Sequence, residues 1–94
     1  MKNSIVQDDT SKCYLCGRSG YLHEHHVMNG KGWRRLADED RLVLYLCPSC
    51  HEYIHSNAEI RKELKSLAQL RYLESHTYED WMRRYGKNYL DNIS

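Results

Sequence analysis

The sequence predicts a small α+β domain stapled by metal rather than held by a large core, with supporting helices in its C-terminal part. Three observations carry this. The chain has 94 residues, a length at which a single core is thin and a staple is often needed. Its four cysteines fall into two C-x-x-C pairs, Cys13 with Cys16 and Cys47 with Cys50. Between the pairs lie two short runs suited to strands, and after them come helix-capping signals.

Residues 1–10 are polar, include Asp8 and Asp9 and show no periodicity, so they read as a flexible N-terminal tail. Residues 11–94 read as one domain. The stretch KCYLCGRSG suggests a tight metal-binding knuckle. Residues 21–28 suit a short strand ending at the turn signal Asn29-Gly30. Residues 30–40, GKGWRRLADED, are glycine-rich and then charged, and read as an exposed loop. RLVLYL, residues 41–46, is an apolar run suited to a second strand. Pro48 can open a helix, which would carry His51 and His55 at i and i+4 on one face. Ser56 with Glu59 forms a capping box that predicts a new helix near Asn57, with Ile60, Leu64, Leu67 and Ala68 as its apolar stripe. Thr77 with Asp80 predicts a further short helix, ended by Gly86.

Four cysteines in a short chain make either two disulfides or a metal site. The N-terminal MKNSIVQDDT lacks the apolar stretch of a signal peptide, and no run of about 18 apolar residues occurs. The reading is therefore a cytoplasmic protein without a membrane partner, where thiols stay reduced and zinc is favoured over disulfides. The two pairs suffice for a closed tetrahedral site in which Cys13, Cys16, Cys47 and Cys50 bind a structural Zn2+. A finger of two cysteines and two histidines fits badly, because His51 directly follows Cys50. The formal charge of +1 excludes neither a nucleic acid nor a small molecule, so local distribution has to decide. Histidines at ligand spacing remain unused by the thiolate site and predict a second metal site.

The segments LHEHHV, LVLYLC and CPSCHEYIH, in this order, resemble the HNH nucleases. That family has a ββα-metal (HNH/His-Me finger) core, here residues 13–56 with supporting helices over residues 57–94, and many members add two zinc-binding C-x-x-C pairs. The resemblance implies a divalent-metal-dependent DNA endonuclease or nickase. It makes His26 the general base and His25, His51 and His55 the ligands of a catalytic ion such as Mg2+, Mn2+, Ni2+ or Zn2+. Histidine types suit both roles, since imidazole titrates near neutral pH and binds borderline divalent metals. On an ideal strand, His25 and His26 point to opposite faces, so the resemblance also implies an irregular strand there. The family's middle asparagine falls at Leu42, with Asp40 as the candidate replacement.

His23 reads first as an exposed strand residue, and otherwise as a partner behind a ligand or a DNA contact. Lys31, Arg34 and Arg35 flank Trp33 and suit phosphate binding, with a solvated loop as the plainer reading. Arg61, Lys62 and Lys65 are interleaved with Glu59 and Glu63 and read as an ordinary helix surface. Similarity to small phage and prophage HNH proteins implies DNA as the partner and a bacterial host cytoplasm as the setting. The rival reading is a noncatalytic zinc module that binds nucleic acid or a phage or host protein.

Overall fold

The computed structural model describes residues 3–30 and 32–90. The elements are β1 (His23–His26), α1 (Trp33–Asp40), β2 (Val43–Leu46), α2 (Pro48–His55), α3 (Ala58–Tyr72) and α4 (Tyr78–Tyr85). β1 and β2 form a two-stranded antiparallel sheet, with His23 opposite Leu46, Glu24 opposite Tyr45, His25 opposite Leu44 and His26 opposite Val43. Opposed residues share a face. One face therefore carries His23, His25, Leu44 and Leu46, and the other Glu24, His26, Val43 and Tyr45. Leu44 and Leu46 join the core with Ile54 of α2, Leu64 and Ala68 of α3, and Trp81 and Tyr85 of α4.

All four residues of β2 are buried, which two strands alone cannot achieve. The N-terminal segment supplies the rest of the cover. The Ile5 N–H donates to the Arg41 carbonyl, Ser4 Oγ donates to the Val43 carbonyl, and the Tyr45 N–H donates to Gln7 Oε1 at 2.8 Å. Gln7 is buried, and its amide donates to the carbonyls of Asp9 and Lys12 at 2.8 and 2.7 Å. Of the expected flexible tail, Ser4 to Gln7 are thus anchored on the sheet while Asn3, Asp8 and Asp9 stay exposed: the outer edge of β2 needs hydrogen-bond partners, and Ser4 and Gln7 provide them. Residues 1 and 2 lie outside the described residues.

The expected loop over residues 30–40 contains α1. Gly32, at φ 85°, adopts the left-handed conformation just before it, which glycine takes without a Cβ penalty. Trp33, Leu36 and Ala37 at i, i+3 and i+4 then turn inward, with Ala37 fully buried. The charged residues on the remaining arc concealed this short stripe. Arg41, at φ 61°, ends the helix, and the Leu42 N–H returns to the Ala37 carbonyl at 2.8 Å.

In α3 the cap is Asn57, whose side chain accepts from the Ile60 N–H at 3.1 Å. Ser56, the expected cap, instead donates to the Tyr53 carbonyl. α4 follows its sequence signals: Thr77 and Asp80 form a reciprocal capping box and Gly86 ends the helix at φ 70°. Asp40 accepts from Arg84 Nε at 2.8 Å and from the Tyr85 hydroxyl at 2.7 Å, which fastens α1 to α4.

Gln7→Leu would strand the Tyr45 N–H and the two carbonyls that Gln7 satisfies. It should lower stability by about 1–3 kcal/mol, read as a shift of the urea midpoint; an unchanged midpoint would show that the segment adds nothing to the sheet.

Candidate functional site

The two cysteine pairs arrive from different elements. Cys13 and Cys16 lie on a knuckle in which the Gly17 N–H donates to the Cys13 carbonyl at 3.0 Å and the Cys13 N–H to the Arg18 carbonyl at 2.8 Å. Gly17 sits at φ 78°, so the turn needs a residue without a Cβ. The Tyr14 N–H donates to the Tyr45 carbonyl at 2.9 Å, tying the knuckle to β2. Cys47 is the N-cap of α2, and Cys50 lies in its first turn.

The four sulfurs lie within 4.8 Å of one another. Cys16 Sγ and Cys47 Sγ are 3.7 Å apart, close to the roughly 3.8 Å between two thiolates on a tetrahedral zinc with bonds of about 2.3 Å. All four cysteines are free of disulfides, and the set fits a structural zinc ion. Burial raises the Cys13 thiol, but N–H groups of Cys16, Cys47 and Leu15 outweigh it and bring the value down to about 6. Burial and the neighbouring sulfurs push Cys50 up to about 12. Four thiolates together therefore require a cation among them.

The histidines converge beside this site. His25, buried on β1, gathers with His51 and His55 of α2, one ring nitrogen of each within 4.8 Å of the others. His51 and His55 face each other through Nε2 atoms 3.1 Å apart, near the roughly 3.3 Å expected of two imidazoles sharing one tetrahedral ion. Burial lowers His25 to about 4, helped by His51, His55, His26 and Arg61. Burial likewise lowers His51, followed by His55 and His23. Neutral imidazole is the ligating form, so this environment suits a metal.

Two residues at this site read first as plain surface in the sequence. His23 Nδ1 lies 2.9 Å from His51 Nδ1, on the side of the ring away from His55. The β-strand alternation that puts His23 beside His25 was the available signal. Arg61 Nη1 donates to the carbonyls of Ile54, at 3.0 Å, and His55, closing the end of α2. Its partners lie across a helix boundary, where no periodic signal reaches.

His26 belongs to a different group. Its Nε2 lies 3.6 Å from Glu24 Oε1 and 3.5 Å from Asp38 Oδ1. The expected irregularity of β1 does not occur, since both His25 and His26 keep regular pairing. Yet the two faces meet at a cleft of about 240 Å³ lined by Glu24, His25, His26, Asn29, Arg34, His51 and His55. The cleft lies where β1 ends, so side chains from both faces reach it. Arg34 and Arg35 also border an adjoining hollow with Glu24, His26 and Asp38, and Arg35 pairs with Glu39 at 3.7 Å. Lys31 lies outside the described residues. Asp40 accepts from Arg84 and Tyr85 of α4, and at the start of β2 the Val27 N–H donates to the Leu42 carbonyl at 3.0 Å.

Comparison with protein families, with curated proteins and with solved structures finds no match to this chain. Among the described residues, no helix is long and apolar enough to cross a membrane.

Two outcomes follow from this geometry. Cys47→Ser should lose zinc and unfold the core, because a structural zinc supplies on the order of 10–16 kcal/mol in small peptides against about 5–15 for a whole domain. Zinc content and circular dichroism check it, and a folded mutant with full zinc would overturn the four-thiolate site. His25 takes up a proton near 6.5 when unfolded but only at about 4 when folded. Its contribution to stability is therefore complete above 6.5 and is lost as the pH falls towards about 4. With zinc bound and no second ion, urea midpoints should fall more steeply across that window in wild type than in His25→Asn; equal slopes would refute the assignment.

Proposed function

We propose that the chain is a divalent-metal-dependent DNA endonuclease or nickase built on a ββα-metal core of β1, β2 and α2. The observation that carries this reading is the single cleft in which a three-imidazole cluster meets a histidine flanked by two carboxylates. A metal site alone needs no second kind of histidine; a hydrolytic site does, because one group must hold the ion and another must take the proton.

His25, His51 and His55 would hold the ion. When bound, a divalent ion supplies Lewis acidity towards a phosphate oxygen and offsets the charge that grows as the phosphodiester bond breaks. His26 is the base. Its Nε2 edge is turned to Glu24 and Asp38, which leaves Nδ1 to take a proton from the attacking water. The same carboxylates orient the ring and stabilise the imidazolium that results. Arg34, on the wall of the cleft, is placed to engage a neighbouring phosphate.

His23 acts behind the ligand. For His51 to ligate through Nε2, its proton must sit on Nδ1, and His23 Nδ1 at 2.9 Å is the acceptor. This fixes both the tautomer and the ring plane of His51.

A panel of variants tests the division of roles by calorimetry with Ni2+ or Mn2+ alongside plasmid nicking. His26→Ala should keep the second ion and lose about 10²- to 10⁴-fold in cleavage. His51→Ala should lose both. His23→Ala should weaken the ion by about 10- to 100-fold, and His23→Asn, whose Oδ1 replaces the acceptor, should restore it. If wild type cuts nothing with any divalent ion, the noncatalytic zinc module becomes the better reading. If His26→Ala cuts as well as wild type, His26 is not the base.

A further inference from the structure

We infer that the groove between α3 and residues 87–89 binds the phosphate backbone of DNA, extending the histidine cleft along the substrate; this rests on the nucleic-acid reading above. The groove has a volume of about 380 Å³ and is lined by Arg61, Lys62, Lys65, Lys87, Asn88 and Tyr89, with Ala58 at one end. Residues 58, 61, 62 and 65 follow i, i+3, i+4 and i+7, so they share one face of α3.

Glu59 and Glu63 are the acidic residues that balance these cations in the sequence. Glu59 borders that face, three residues before Lys62, whereas Glu63 lines a separate groove with Tyr14, Leu15 and Leu67. No acidic residue lines the groove itself. Lys87 approaches from the segment after α4, its Nζ 5.5 Å from the centre of the Tyr89 ring. Burial lowers the Lys65 ammonium, and Arg61 and Lys87 lower it further, as expected where cations crowd together. Among the described residues, no ion pair joins Lys62, Lys65 or Lys87 to a carboxylate. Such crowding raises the local positive potential and is relieved by an anion.

Placement selects a long polyanion over an isolated phosphate. Arg61 rests on the carbonyls of Ile54 and His55, at the end of the helix that carries His55 into the cleft. The groove thus begins beside the histidines, while Arg34 lines the cleft from α1. Cations from two separate elements match a ligand whose charges repeat along its length, and the half-buried Tyr89 ring closes one wall of the groove.

The test uses zinc-loaded protein carrying His26→Ala, so that no strand is cut, and fluorescence anisotropy of a labelled DNA duplex over a salt series. Combining Lys62→Gln, Lys65→Gln and Lys87→Gln should weaken binding and reduce the slope of log K against log salt by about two to three, roughly 0.9 for each phosphate no longer neutralised. Lys12→Gln with Arg18→Gln, away from the groove, should leave the slope unchanged. A triple variant with the wild-type slope, or a loss per charge no greater than that of the control pair, would overturn the groove. So would equal or tighter binding of polyglutamate by the unsubstituted groove. Nicking by the unmodified chain is scored separately: nicking with an unchanged slope removes the groove alone, and the expected slope without nicking removes the nuclease alone.

Discussion

The arrangement of this molecule centres on four cysteine sulfurs brought within 4.8 Å of one another, a set that fits one zinc ion. Cys47 and Cys50 belong to the cap and first turn of α2, whereas Cys13 and Cys16 belong to a knuckle hydrogen-bonded to β2. A zinc ion shared by both pairs would therefore fix the start of α2 against the sheet. His51 follows Cys50 directly, and His55 follows one turn later. Once the first turn is clamped, the helix has no freedom to rotate its imidazoles away from His25. The metal staple and the histidine cluster are consequences of one placement.

The hydrophobic core is arranged around that clamp. Leu44 and Leu46 turn to the side of the sheet that α2 covers, and Ile54 from α2 meets Leu64, Ala68 and Trp81 beyond it. At the far side, α4 is tied to α1 by Arg84 and Tyr85 on Asp40. Burial first, and then the Asp40 carboxylate, raise the Tyr85 hydroxyl above its ordinary value, so it remains a proton donor. Asp40 is thereby engaged in holding α1 and α4 together.

What was legible in the sequence is what local chemistry decides. The cysteine pairs, the i and i+4 histidines and the Thr77, Asp80 and Gly86 signals each act within a turn or two of chain, and each is found where its spacing predicts. The misses share a different origin. α1 was hidden because only Trp33, Leu36 and Ala37 form its apolar stripe, too few to stand out among the charged and glycine neighbours of residues 30–40. The anchoring of Ser4 to Gln7 answers a need of β2, namely an edge without partners, that lies far away in sequence. Ser56 and Asn57 offer equivalent capping chemistry side by side, and only the helix start distinguishes them.

The cover over β2 has a further consequence. Val43–Leu46, with the sequence VLYL, is an uncharged apolar strand in a sheet of only two. Its outer edge would be a template for pairing with any other extended chain, including another copy of itself. Ser4 and Gln7 occupy that edge with side chains rather than with a third strand. Side-chain amides and hydroxyls satisfy the backbone without offering a ladder of their own, so strand addition stops there. The few residues that looked least structured thus close the edge at which pairing with another chain would begin.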